Sequence, residues 1–269
     1  MPRPRPAFHP HWWTDVHRSP LANLRLGICL SFVAGATNAG GFLAIGQYTS
    51  HMTGLLSSVA DHLVLGQFAL VAASLAAMAA FVGGAMTTAL MVNWGLRRQL
   101  RSAFARPLLL ETSLLLVFGL FGAAINRHAE LFAPLTVLLL CYIMGLQNAV
   151  ITKVSNAEIR TTHVTGLVTD IGIELGKLVY FNRSPAPTKV LANRRKLSIH
   201  LSLVTAFFVG GVLGALGFKF WGYLTTLPLA ALLGLLVSGP LLYDLRHGRL
   251  APPATPGRES AEAGRPGVH

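Results

Sequence analysis

Six long apolar runs decide what this chain can fold into. They cover Leu26–Gly46, Phe68–Val92, Pro107–Ile125, Leu131–Val150, Leu201–Phe218 and Leu224–Tyr243. Each is roughly 18 to 25 residues long, enough for a helix to cross about 30 Å of hydrocarbon. A helix also satisfies its backbone N–H and C=O groups internally, as a lipid surrounding demands. Hydrophobic residues fill 52% of the 269 positions and charged residues only 12%. A soluble domain carries about twice that charged fraction. Within the six runs the one formal charge is Glu111, near the start of the third and close to Arg106. The fold class predicted is an all-α membrane protein with six transmembrane helices.

The formal net charge of +12 resembles a nucleic-acid signature, but its distribution argues against nucleic acid as a partner. The basic residues sit between the runs, where they set topology. With the amino terminus in the cytoplasm, Arg3, Arg5, Arg18 and Arg25 lie inside, as do Arg97, Arg98, Arg101 and Arg106. Lys153, Arg160, Arg183, Lys189, Arg194, Arg195, Lys196, Arg246 and Arg249 follow on the same side, leaving Arg127 and Lys219 outside. Both termini are therefore predicted cytoplasmic. Residues 1–23 form a basic leading segment, and 244–269 a Pro- and Gly-rich tail expected to be disordered. The first run is too long for a signal-peptide core and reads as retained. Cys29 and Cys141 fall inside runs, so neither a disulfide nor a metal site is expected.

This topology holds if two shorter apolar segments do not cross. Thr53–Gly66 carries Asp61 and His62 and is short; Thr165–Phe181 carries Asp170, Glu174 and Lys177, each costly in hydrocarbon. Both read as re-entrant or interfacial half-helices.

The two segments belong to an internal repeat at a spacing of roughly 110 residues. Gly35-Ala-Thr-Asn-Ala39 and Thr49-Ser-His-Met-Thr-Gly-Leu55 return as Gly145-Leu-Gln-Asn-Ala149 and Thr161-Thr-His-Val-Thr-Gly-Leu167. Asn38 matches Asn148, His51 matches His163, and Thr53 matches Thr165. Further on, Phe81-Val-Gly-Gly84 aligns with Phe208-Val-Gly-Gly211, and Pro107 with Pro228. Each unit, 24–125 and 126–243, holds three crossings. An odd number inverts the second unit against the first, an architecture typical of transporters.

Polar groups repeated at a helix break have a chemical use. Hydroxyls of Thr49, Ser50, Thr161 and Thr162 precede each half-helix and are expected to cap its N–H groups. A half-helix start offers donors and partial positive charge to an anion or polar solute. Asn38, His51, Thr53, Asn148, His163 and Thr165 are thus the candidate substrate-binding residues. Asn38 and Asn148 fit equally well as links between helices. Asp61, Asp170, Glu174 and Lys177 are candidates for coupling or for simple pairing, with Lys177 next to Glu174 and Asp170 along one side. Gly83, Gly84, Gly210, Gly211 and Gly214, with Gly172 and Gly176, read as packing contacts.

These motifs resemble the YoaK family, bacterial membrane proteins catalogued as a domain of unknown function. The resemblance rests on Gly35–Leu43, Ser50–Gly54, Gly145–Ala149 and Thr161–Gly172, and extends over about Leu24 to Tyr243. It implies a bacterial cytoplasmic membrane, and no substrate. Leu55 departs from the Asn that the family commonly carries after Thr-Gly.

The reading that follows is a small-solute transporter, for a small anion or a neutral polar solute, with its site between the repeats. A channel of the same architecture is the alternative. An intramembrane enzyme ranks below both, since no H-E-x-x-H or G-x-S-x-G motif occurs, and a structural or signalling membrane protein without flux ranks at a similar level. No catalytic residue, cofactor or metal is expected. The partners are the bilayer and a small solute, with a homo-oligomer left open.

Overall fold

A computed structural model describes residues 13–16, 18–127, 129–157, 159–182 and 189–247. The described residues are helical, in eight α-helices with two short 3-10 turns. Six are long: α1 (Pro20–Ile45), α3 (Phe68–Arg97), α4 (Ala105–Arg127), α5 (Ala129–Val154), α7 (Arg194–Trp221) and α8 (Thr226–His247). Two are short: α2 (Met52–Val64) and α6 (Val164–Val179). They fall on the two short apolar segments, Thr53–Gly66 and Thr165–Phe181, of the sequence. Arg3, Arg5, Arg183, Arg249 and the tail from 248 lie outside the described residues. Residues 244–247, assigned to the tail, instead close α8.

By length and composition five helical stretches are able to cross a membrane: Pro20–Ile45, Phe68–Arg97, Ala105–Gly122, Phe132–Val154 and Arg194–His247. The last joins the fifth and sixth predicted runs. It breaks at Gly222, whose φ of 59° and ψ of −138° suit a residue without a Cβ. Ser19 caps α1 through the Ala22 N–H, and Pro20 takes the first helical position. Gly46 ends it in the left-handed conformation, its N–H returning to the Phe42 carbonyl at 2.8 Å. Pro107 and Pro228 each sit in the first turn of α4 and α8, where an N–H has no intrahelical acceptor.

The long helices pack in pairs that echo one another. Gly27 meets Leu203 and Gly40 meets Phe218, so α1 and α7 run the same way. Gly145 meets Phe81 and Lys153 Nζ bonds Asn93 Oδ1 at 3.1 Å, so α3 and α5 also run together. Thr226 bonds the Leu115 carbonyl and Ser102 bonds Asp244, so α4 and α8 are antiparallel. Glycine permits the two parallel contacts. A Cβ on Gly35 would strike the Phe207 carbonyl, and one on Gly145 the Phe81 carbonyl. A Cβ on Gly84 would strike the Tyr142 carbonyl, and one on Gly210 that of Phe32.

These contacts correct the sequence alignment by one position. Phe81 is equivalent to Phe207 and Gly84 to Gly210, rather than to Phe208 and Gly211. They also sort the glycines. Gly84, Gly210 and Gly214 face neighbouring backbone, whereas Gly172 and Gly176 have nothing within 4 Å of a built Cβ and pack against nothing.

One end of the bundle collects polar and basic groups. Arg18 donates to the carbonyls of Asp15 and Val154, Asp244 accepts the N–H groups of Arg101 and Ser102, and Arg101 stacks on Tyr243. Burial lowers the Arg18 guanidinium to about 10, partly offset by Asp15, so it stays charged at neutral pH. Residues 13–16 of the leading segment are bound in here, Thr14 being fully buried with its hydroxyl on the Leu236 carbonyl.

Candidate functional site

Residues 46–51 and 159–163 each turn back after a long helix and lead into α2 or α6. An asparagine on the preceding helix fastens each turn. Asn38 Oδ1 accepts from the Ser50 N–H at 3.2 Å and its hydroxyl at 2.9 Å. Asn148 Oδ1 accepts from the Thr162 hydroxyl at 2.6 Å. Along α1 and α5 the surroundings repeat as well. Ser31–Gly40 and Cys141–Val150 run through the same order of buried and half-buried positions.

The hydroxyls therefore do not cap the short helices, contrary to the sequence expectation. His51 and His163 occupy the cap positions, and neither makes a side-chain cap bond. The first intrahelical bonds are Leu55 N–H to His51 and Leu167 N–H to His163. The N–H groups of the first turn of each helix are left facing outward. Each imidazole folds over that turn in the space left by a glycine. A Cβ on Gly54 would collide with the His51 ring, and one on Gly166 with the His163 ring. The repeated His-x-Thr-Gly spacing thus has a steric cause.

Both turns open on a single cavity of about 920 Å³. All six candidate residues line it: Asn38, His51, Thr53, Asn148, His163 and Thr165. So do Ser50 with Thr162, Met52 with Val164, and Phe81 with Phe207, each pair occupying equivalent positions. The Phe pair is the one whose carbonyls receive Gly145 and Gly35. The same contacts that fix the helix pairs thereby fix the cavity wall.

One pair is unequal. Tyr48 and Arg160 stand at matching places, three residues before each histidine, and both line the cavity. Arg160 is exposed and makes no ion pair with an acid among the described residues. In the sequence Arg160 stands out only as a topology determinant. Extending the repeat three positions upstream of His163 would have found it. Among the described residues no Asp or Glu lines the cavity.

The four coupling or pairing candidates lie elsewhere. Glu174 pairs with Lys177 at 2.8 Å and accepts the Asn193 N–H at 2.7 Å. Asp170 pairs with Lys196 at 3.1 Å, and its second oxygen lies 3.7 Å from His200 Nδ1. Asp170 thus reaches to α7 rather than to Lys177. The Lys196 hydrogen bond holds the Asp170 carboxyl below its ordinary value, and the Lys177 bond does the same for Glu174, helped by Asn193. These bonds tie α6 to the start of α7. Asp61 is exposed on α2, away from the cavity wall. Glu111 makes no pair with Arg106, which bonds Ser102 and stacks on Trp94. Instead Glu111 is fully buried. Among the described residues no group of three His, Cys, Asp or Glu could hold a metal ion.

Residues 26–239 match the family model described as "Protein of unknown function (DUF1275)". The chain is 26% identical over 231 residues to the UPF0700 transmembrane protein YoaK of Bacillus subtilis (strain 168). That alignment covers 84% of this chain and 95% of the relative. No solved structure matches.

Proposed function

The chain belongs to the YoaK family of membrane proteins, described as of unknown function (DUF1275), and from its cavity we propose that it carries a small anion across a bilayer. The observation that carries this reading is the wall itself. Two uncapped helix starts, Arg160 and two histidines face one space that no carboxylate of the described residues enters. Outward N–H groups at a helix start, with the partial positive charge of its dipole, favour an anion. Asn38 spends its oxygen on Ser50, which leaves its amide N–H groups toward the cavity. The hydroxyls of Thr53 and Thr165 add further donors.

The path across the membrane follows from six crossings, with α7 and α8 crossing separately. The parallel pairs α1–α7 and α3–α5, with antiparallel α4–α8, are what two inverted units of three crossings require. In this reading α2 enters from one face and α6 from the other. Their starts meet near the middle, and the basic end of the bundle faces the cytoplasm. Access would alternate as one unit rocks against the other about the cavity. Binding rather than catalysis suits the site, since Glu174 is held by Lys177 and the Asn193 N–H and Asp170 by Lys196, and no carboxylate among the described residues orients the histidines.

The test is flux into proteoliposomes of chloride, nitrate and formate, compared with a cation and a neutral solute of similar size. The wild type should move at least one anion. Arg160→Gln should lower that flux at least tenfold, and the pair His51→Ala with His163→Ala should lower it further. Absence of any anion flux, or flux untouched by Arg160→Gln, would refute the proposal.

A further inference from the structure

Glu111 lies on α4 between Leu108 and Leu115, which are three residues before it and four after, on the same helical face. Both leucines are fully buried, in a core shared with Leu30 and Val33 of α1, Met144 of α5 and Leu233 of α8. Glu111 is itself fully buried, and neither carboxyl oxygen has a hydrogen-bond partner among the described residues. The neighbouring hydroxyl of Thr112 is spent on the Leu108 carbonyl at 2.8 Å.

No hydrogen bond or ion pair joins Glu111 to a charged group among the described residues. The Arg101 guanidinium of the 3-10 turn lies 3.7 Å from Asp15 and stacks on Tyr243, while Asp244 of α8 accepts the backbone N–H groups of Arg101 and Ser102. Lys153 of α5 bonds Asn93 of α3, Arg106 of α4 stacks on Trp94, and Arg98 stacks on the same ring. On the α1 side, Cys29 stands in the wall of a separate cleft of about 660 Å³, with Ser202 and Thr205 of α7 and Leu232 of α8.

An ionised carboxylate is not held in an apolar seam without donors; it takes up a proton and becomes neutral. We propose that Glu111 is a proton-binding site, protonated in this conformation and deprotonated when movement of α1 or α8 wets the seam. The carboxylate takes a proton from water on one side and returns it to water on the other, so charge and atoms balance. The link to solute movement rests on the transport reading above. The proton site itself does not.

The first arm of the test needs no solute. Infrared spectra of the purified protein in lipid at neutral pH should contain the C=O stretch of a protonated carboxylic acid, and Glu111→Gln should remove it. A wild type without that band, or a variant that keeps it, overturns the proposal. The second arm measures nitrate flux into proteoliposomes as external pH is varied. The wild type should respond to pH several-fold and Glu111→Gln should not. Equal pH dependence in the two would overturn the coupling. A wild type with the band but no nitrate, chloride or formate flux would sink the transport reading and leave the proton site standing.

Discussion

Gly54 lies beneath the imidazole of His51, in space that any larger side chain would take from the ring. Gly166 does the same for His163. Gly54→Ala should therefore push the ring off the first turn of α2 and into the cavity. Helical content would be kept, because alanine favours a helix more than glycine does. Circular dichroism should be unchanged while anion binding falls. Matching loss from Gly166→Ala would show that both turns serve the same site.

Glycine positions elsewhere predict opposite effects on stability. Gly35→Ala and Gly145→Ala drive a Cβ into the carbonyls of Phe207 and Phe81, and should destabilise the bundle by about 1–3 kcal/mol. Gly172→Ala meets open space on α6 and should be neutral or stabilising by up to about 1 kcal/mol. Thermal unfolding in one detergent separates the two classes. Equal destabilisation by all three would contradict the packing described.

The asparagine links predict a smaller loss. Asn38→Ala frees the turn at Ser50, and Asn148→Ala the turn at Thr162, each costing about 1 kcal/mol per hydrogen bond. Hydrogen exchange at residues 49–51 and 161–163 should quicken in the matching variant and stay unchanged in the other.

Acid should loosen α6 from α7. Glu174 and Asp170 have carboxyls held below their ordinary values by Lys177 and Lys196. Their stabilisation is complete above the unfolded carboxylate value and is lost as pH falls through the lowered folded value. Protection of the Asn193 N–H, bonded to Glu174, should fall in acid once the intrinsic exchange rate is divided out, and Glu174→Gln should lower it already at neutral pH.

The long helices and the two short ones were legible in the sequence because transfer from water scales with apolar length. The six cavity residues were legible because their spacing recurs. Hydropathy says nothing of partners, however. Ser50 and Thr162 read as caps, yet they bond Asn38 and Asn148 on the preceding helices. A run of glycines fixes no register, which is how Phe208 was matched where Phe207 makes the contact. Gly172 and Gly176 share the spacing of packing glycines without a neighbouring helix to meet. Arg160 was hidden because it matches a tyrosine, and a repeat search rewards identity. Glu111 seemed placed by Arg106 in sequence, but the two point to different surroundings in the fold.

In the proposed transport path α2 and α6 enter from opposite faces and bring their starts to one cavity. Single cysteines at Leu65 and Tyr180, exposed residues at the far ends of the two helices, test it most directly, in a background with Cys29 and Cys141 replaced. An impermeant maleimide applied to right-side-out and inside-out vesicles should label Leu65→Cys from the outer face and Tyr180→Cys from the cytoplasmic face. Labelling of both from the same face would contradict the account.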